Sequence, residues 1–98
     1  MTVGVFTFEI HLPESGSLKD RRQVLRSLKE RLRARHNVAV VELEELSGLW
    51  QRAGLCVVSA AGRQDVLEKL FEAVRREAEE VVPGHVMETG TDYIEADL

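Results

Sequence analysis

The sequence contains few cysteine, proline and aromatic residues. Its 98 residues include one cysteine, two prolines, one tryptophan, one tyrosine and three phenylalanines. A single cysteine excludes an internal disulfide. Cys56 lies in the apolar run LCVVSA, where a thiol usually packs as a small hydrophobic group. We therefore expect the fold to depend on an ordinary hydrophobic core.

Long apolar runs are also absent, and no segment reaches the length that spans a bilayer. The N-terminal stretch MTVGVFTFEIHL is apolar but lacks the positive region and the small-residue cleavage site of a signal peptide. We expect a cytoplasmic protein with no membrane contact. The composition, 44% hydrophobic and 31% charged, is typical of a folded globular protein. Its length predicts a single domain over residues 1–98.

Positive charge is concentrated between residues 17 and 36. This segment carries eight Lys and Arg residues against Asp20 and Glu30, a sum of +6. The whole chain has a formal charge of −4, so the remainder sums to −10. A contrast of this size within a small domain indicates a surface for an anionic partner.

Hydrophobic periodicity predicts six elements in the order strand, helix, strand, strand, helix, strand. The predicted ranges are a strand over 2–12, a helix capped by Ser17 and Asn37, a strand over 38–43, a strand over 49–60 with a possible bulge at Gly54, a helix from about 61 to Val82, and a strand over 85–96 with an irregularity at 90–92. The predicted core includes Phe6, Phe8, Ile10 and Leu12 from the first strand. The apolar faces of the helices are Leu18, Val24, Leu25, Leu28 and Leu32, then Val66, Leu67, Leu70, Phe71, Val74, Ala78 and Val81.

This order predicts an α+β, ferredoxin-like βαββαβ sandwich. Right-handed crossovers place both helices on one face of a four-stranded antiparallel sheet of order 4-1-3-2. The edge strands would then carry acids, which discourage edge-to-edge pairing: Glu42, Glu44, Glu45, Glu88, Asp92 and Glu95. We expect the uncovered face to present some of Val3, Val5, Val38, Val40, Leu55 and Val57. Apolar surface of this extent favours a homodimer or docking on a larger partner.

The first predicted helix carries a row of cations at spacings of three and four. Its members are Lys19, Arg22, Arg26, Lys29 and Arg33. They fall within an arc of about 80° at 100° per residue and extend about 20 Å at 1.5 Å per residue. Such a row could contact successive phosphates of a nucleic acid, with Arg21, Arg31 and Arg35 supplementary. The alternative is a solvated face paired with the acidic second helix, where each exposed pair contributes about 0–1 kcal/mol.

A smaller anion site is possible where this helix begins. Ser15, Gly16 and Ser17 precede its first backbone N–H groups, which are unpaired and lie at the positive end of the helix dipole. The alternative is ordinary capping by Ser17. The spacing of a nucleotide-binding P-loop is absent.

Residues suited to catalysis or metal binding are sparse. His11, His36 and His85 lack ligand-like spacing, so we expect no metal or cofactor. Glu9 and the acids at 42, 44 and 45 could form acid–base pairs, but acids at strand edges are usually solvated. An acylphosphatase would need an Arg-bearing phosphate loop after the first strand and a water-orienting Asn, and neither is in place. We expect a protein that is not an enzyme.

A base-stacking sheet of the RNA-recognition type would need exposed aromatic residues on its central strands. The third predicted strand, WQRAGLCVVSA, has only Trp50 at its start. Trp50 beside Gln51 and Arg52 is typical of an interface anchor or of a cap over the core. Contact with nucleic acid should therefore depend on backbone and shape.

Three segments resemble the YlxP-like proteins, a bacterial family of unknown function. They are SLKDRRQVLRSLKERL, HNVAVVELEE and WQRAGLCVVS. The most specific positions are Ser17, Leu18, Lys19, Arg22, Asn37, Val38, Glu42, Trp50, Gln51 and Ala53. His36 stands where an aromatic residue is more usual in the family.

The resemblance covers nearly the whole chain and implies a ferredoxin-like fold and a small cytosolic protein. Genes of this family often lie beside genes for translation initiation and small-subunit assembly, which implies a role with RNA or the ribosome. The family offers no established catalytic residues. We therefore expect a non-catalytic RNA-binding accessory protein. The second hypothesis is a dimeric protein-interaction or ligand-sensing module that uses the open sheet face.

Overall fold

The computed structural model describes residues 1–12, 18–43 and 52–97. Its elements are β1 (Thr2–His11), α1 (Leu18–Arg35), β2 (Ala39–Leu43), β3 (Arg52–Ala61), α2 (Gln64–Val81) and β4 (Val86–Glu95). The predicted order of strands and helices is confirmed, and the compared boundaries agree within a few residues. The predicted start of the third strand, 49–51, lies outside the described residues.

The four strands form one antiparallel sheet of order β2-β3-β1-β4. This is the predicted order 4-1-3-2 read from the opposite edge. β1 pairs with β3 in unbroken register, with Glu9 opposite Gly54. The bulge predicted at Gly54 is therefore wrong. The irregularity expected near 90–92 does occur, because the register between β1 and β4 shifts next to Gly90.

The core lies between the helices and the face of the sheet that they cover. It includes Phe6, Phe8 and Ile10 of β1 and the next predicted residue, Leu12, together with Leu25, Leu28, Leu32, Leu67, Phe71, Val74 and Ala78. The rings of Phe6 and Phe71 stack with centroids 5.4 Å apart. Gly4 permits this approach, since a Cβ there would lie 2.7 Å from Phe71 Cε2. Burial of this continuous apolar layer is the main stabilising contribution to the fold.

Two local predictions about the helices are wrong. Val66, expected on the apolar face of α2, is 47% exposed. Asn37 is predicted to cap the end of α1, and an Asn in that role commonly takes the left-handed conformation. No described residue other than a glycine has a positive φ, and α1 already ends at Arg35. The carbonyl of Asn37 instead accepts a hydrogen bond from Ser59 Oγ at 2.6 Å.

The open face of the sheet also differs from the prediction. Val40, Leu55 and Val57 are 4%, 0% and 0% exposed and belong to the core. Val38 packs partly against the core as well. The neighbours Val41, Cys56 and Val58 share the open face with Val3 and Val5, as the strand registers require. The runs VAVV and LCVV are apolar at successive positions, so alternation alone did not reveal which set faces the helices.

Within the described ranges, neither helix combines the length and the apolar character needed to cross a bilayer.

Candidate nucleic-acid interface

The basic row lies on α1, beside the apolar face that is fixed in the core. Leu25, Leu28 and Leu32 are at most 2% exposed, and they anchor the helix against the sheet. Their spacing of three and four residues places the cations on the remaining surface. The position of the row is therefore determined by the hydrophobic packing of α1.

Three members of the row, Lys19, Arg22 and Arg26, are exposed. Within the described part of the chain, none of the three forms an ion pair or a side-chain hydrogen bond. The first and the last lie seven positions apart, which is about 10 Å along the helix at 1.5 Å per residue. These three side chains are available for an anion.

The other two members contact β2. Arg33 Nη2 donates a hydrogen bond to the carbonyl oxygen of Val40 at 2.7 Å. Lys29 Nζ lies 3.8 Å from Glu42 Oε2, and both side chains are partly exposed. The carbonyl leaves the charge of Arg33 in place, whereas Glu42 offsets part of the charge of Lys29. Two of the five members of the row are thus anchored, and the positive charge of the row is reduced but retained.

A groove runs between α1 and β2. The residues that line it include five cations and two acids: Arg21, Arg22, Leu25, Arg26, Lys29, Glu30, Arg33 and Glu42. The formal excess is +3, although the whole chain is acidic. Positive charges gathered on one side of a groove raise the local concentration of anions.

Arg21 is the buried member of this group. It is 5% exposed, and its Nη2 donates to the carbonyl of Arg52 at 3.3 Å and lies 3.7 Å from Glu42 Oε1. Its Nε is buried and has no hydrogen-bond partner in the described parts of the chain. Arg21 therefore does not belong to the exposed surface on which a supplementary contact was expected. It shares Glu42 with Lys29 and ties α1 to the sheet.

Arg31 and Arg35, the other two supplementary cations, face α2. Arg31 Nε donates to Glu77 Oε2 at 2.8 Å, and Arg35 Nη1 donates to the same oxygen at 3.1 Å. Arg31 also donates to Glu80 at 2.5 Å. The alternative considered from sequence, pairing with the acidic second helix, is found for these two residues.

Glu77 is the centre of this cluster and is 7% exposed. Burial alone raises the pKa of its carboxyl, but the charges of Arg31 and Arg35 and the hydrogen bonds from Arg31 and His36 outweigh burial and lower it. Sequence reasoning missed Glu77. Its position was a usable signal, because it lies three residues after Val74 and four before Val81, on the apolar face of α2. A charge at such a position predicts a buried partner.

Several predicted features do not form a site in the described residues. The anion site at Ser15, Gly16 and Ser17, together with Trp50, Gln51, Glu44 and Glu45, lies outside them. His11 and His85 are neighbours, with ring centroids 6.1 Å apart, whereas His36 lies against Glu77. Across the described residues, no three His, Cys, Asp or Glu side chains are grouped as metal ligands.

These features define a small α+β protein with a ferredoxin-like βαββαβ fold and a basic helix beside an edge strand. The chain belongs to DUF503, a family of proteins of unknown function, whose sequence profile matches residues 3–91. No curated protein gives a significant match.

Proposed function

We propose that this chain is a YlxP-like member of its family that acts as a non-catalytic RNA-binding accessory protein of the bacterial cytoplasm, associated with the ribosome. Its partner would be RNA, and the contact would be made mainly with phosphates. The observation that supports this proposal is that Lys19, Arg22 and Arg26 are exposed and have no ion pair among the described residues, while Arg22 and Arg26 line a groove with an excess of positive charge. The resemblance of SLKDRRQVLRSLKERL to the YlxP-like proteins supports the same partner.

The geometry favours two different roles for the cations of the row. Lys19, Arg22 and Arg26 would bind phosphates directly, since binding would break no existing ion pair in the described chain. Lys29 and Arg33 would add a longer-range attraction from the groove, where they remain tied to β2. Each neutralised phosphate releases a counterion, which gives affinity without reading the base.

The sheet gives an independent reason to expect backbone contact. The described central strands, β1 and β3, carry two phenylalanine rings, Phe6 and Phe8, and both are buried in the core. The exposed ring on those strands is His11, which lies at the end of β1 against His85, so the strand centres offer no ring for stacking on a base. We therefore expect little preference among sequences of the same shape.

A matched pair of variants tests the proposal. Arg22→Glu should weaken binding of a fluorescent small-subunit ribosomal RNA fragment about tenfold or more at low salt, because it removes one contact and adds repulsion. Arg76→Glu is the control, since Arg76 is exposed on α2 and no partner is found for it among the described residues. Fluorescence anisotropy gives both affinities. Equal losses in the two variants, or no binding by the unmodified chain, would overturn the proposal.

A further inference from the structure

The sheet face opposite the helices carries a continuous apolar band. Strand registers place Val3 beside Ile94, Val5 beside Val58, and Cys56 beside Val41. The band therefore crosses all four strands, from the β4 edge to the β2 edge. A folded monomer rarely leaves an apolar surface of this breadth in water.

Exposure of individual side chains singles out the same face. Five large apolar side chains are exposed among the described residues, and three of them, Val41, Met87 and Ile94, lie on this face. Their exposed fractions are 57%, 56% and 53%. Of the other two, Met1 is terminal and Val66 stands alone on α2, so neither forms a patch. The apolar exposure is thus concentrated in one place.

The area of the face is sufficient for a specific contact. Three strands of ten residues and one of five cover about 550 Å² at about 3.3 Å per residue and about 4.8 Å between strands. Two such faces together bury roughly 1,100 Å², slightly above the roughly 1,000 Å² expected of a biological interface.

The charges on this face suit a second copy better than a charged partner. Arg52 Nη2 lies 2.5 Å from Glu9 Oε2, so these two charges offset each other within the chain. Asp92, on an edge strand, is the remaining carboxylate and His11, at the end of β1, the remaining basic side chain that the described strands place on the face. The face is therefore nearly neutral and would not repel an identical face. The acids Glu42, Glu88 and Glu95 of the same edge strands contact Arg21, Arg75 and Thr2 on the helix-covered side.

We propose that a second copy of this chain covers the open face, forming a two-fold dimer held by the apolar band. A two-fold interface uses the same patch on both subunits, and this patch is both apolar and almost free of net charge. The helices then lie on the outside of the pair, and each basic groove stays open. This inference does not depend on the RNA-binding proposal.

Sedimentation equilibrium of the full chain tests the dimer directly. The unmodified protein should show twice its monomer mass of 11.0 kDa at high concentration. Val41→Glu and Ile94→Glu each place a charge in the band at a side chain already exposed, and should shift the protein to monomer while circular dichroism stays unchanged. Val66→Glu makes the same change on α2 and should remain dimeric.

A monomer at all concentrations would overturn the proposal, and so would dimers that persist in both Val41→Glu and Ile94→Glu. Arg22→Glu should leave the mass unchanged, so failure of the dimer and failure of RNA binding are separate results.

The reactivity of the Cys56 thiol gives a second measurement of the dimer, because no other cysteine in the chain would react. Cys56 is the only cysteine and lies in the middle row of the sheet, opposite Thr7 and Val41. In the proposed dimer its reaction with a thiol reagent should slow several-fold as protein concentration rises. Val41→Glu should remove that dependence on concentration. A rate that is the same at every concentration in the unmodified chain would contradict the dimer.

Discussion

Arg31 and Glu77 join the two helices: Nε of the arginine lies 2.8 Å from Oε2 of a carboxylate that is almost fully buried. Arg35 and His36 contact the same carboxylate. The contact fixes α1 against α2 and directs Arg31 and Arg35 away from the exposed row. The cations left for an anion are therefore those at the start of the helix.

Stability should depend on pH through Glu77. Its pKa is lower in the folded chain than its ordinary value of 4.5. Its contribution is therefore complete above about pH 4.5 and is lost as pH falls through the lower folded-state pKa. Glu77→Gln should reduce the free energy of unfolding by about 1–3 kcal/mol at neutral pH and make the acid side of the profile shallower.

Urea unfolding at a series of pH values measures both effects. Glu72→Gln, on the exposed side of α2, serves as the control and should change little. If Glu77→Gln keeps the stability and the acid slope of the unmodified protein, the cluster does not stabilise the fold.

Packing at Gly4 should tolerate no side chain. A Cβ there would lie 2.7 Å from Phe71 Cε2 and 3.2 Å from Leu67 Cδ1, inside the core. Gly4→Ala should lower the free energy of unfolding by about 1–3 kcal/mol because the ring must move. Gly62→Ala, with no atom within 4 Å of the added Cβ, should change it by less than about 0.5 kcal/mol. Denaturant unfolding midpoints of the two variants measure this difference. Equal midpoints for Gly4→Ala and Gly62→Ala would show that Phe71 repacks freely.

Glu42 should affect RNA binding and stability in opposite directions. Its carboxylate lies 3.7 Å from Arg21 and 3.8 Å from Lys29. Glu42→Gln removes a negative charge from the groove and should strengthen RNA binding by about two- to fivefold at low salt. It also leaves the buried Arg21 without its counter-charge, which should cost about 1–3 kcal/mol of stability. Glu72→Gln makes the same change in net charge away from the groove. If both variants bind RNA equally, the groove is not the contact surface.

The order and topology of the fold could be predicted because the signals for them are local and strong. Phe6, Phe8 and Ile10 alternate along β1, and Leu25, Leu28 and Leu32 repeat at helical spacing along α1. Hydrophobic alternation did not show which residues are buried where both faces of a strand are apolar, as at Val40 and Val41. In that case only the packing of the helices determines which residue is buried.

The position of the basic row on α1 could be predicted from the sequence, but which of its cations contact other elements could not. Sequence spacing places Lys19 to Arg33 on one side of α1, as found. The spacing of the cations does not show which of them pair with acids of other elements. Glu42, which lies near Lys29, and Glu77, which pairs with Arg31, are both distant from these cations in the sequence. Only the fold brings those partners together. It thereby separates the available Arg22 and Arg26 from their engaged neighbours.

The salt dependence of RNA binding is the most direct test of the central claim, that the start of α1 contacts phosphates. If Lys19, Arg22 and Arg26 each neutralise one phosphate of a single strand, log affinity should fall against log salt with a slope of about −2. The double variant Arg22→Glu, Arg26→Glu should bring that slope close to zero, and Arg76→Glu should leave it unchanged. A slope near zero in the unmodified protein, or the same slope in both variants, would contradict the account.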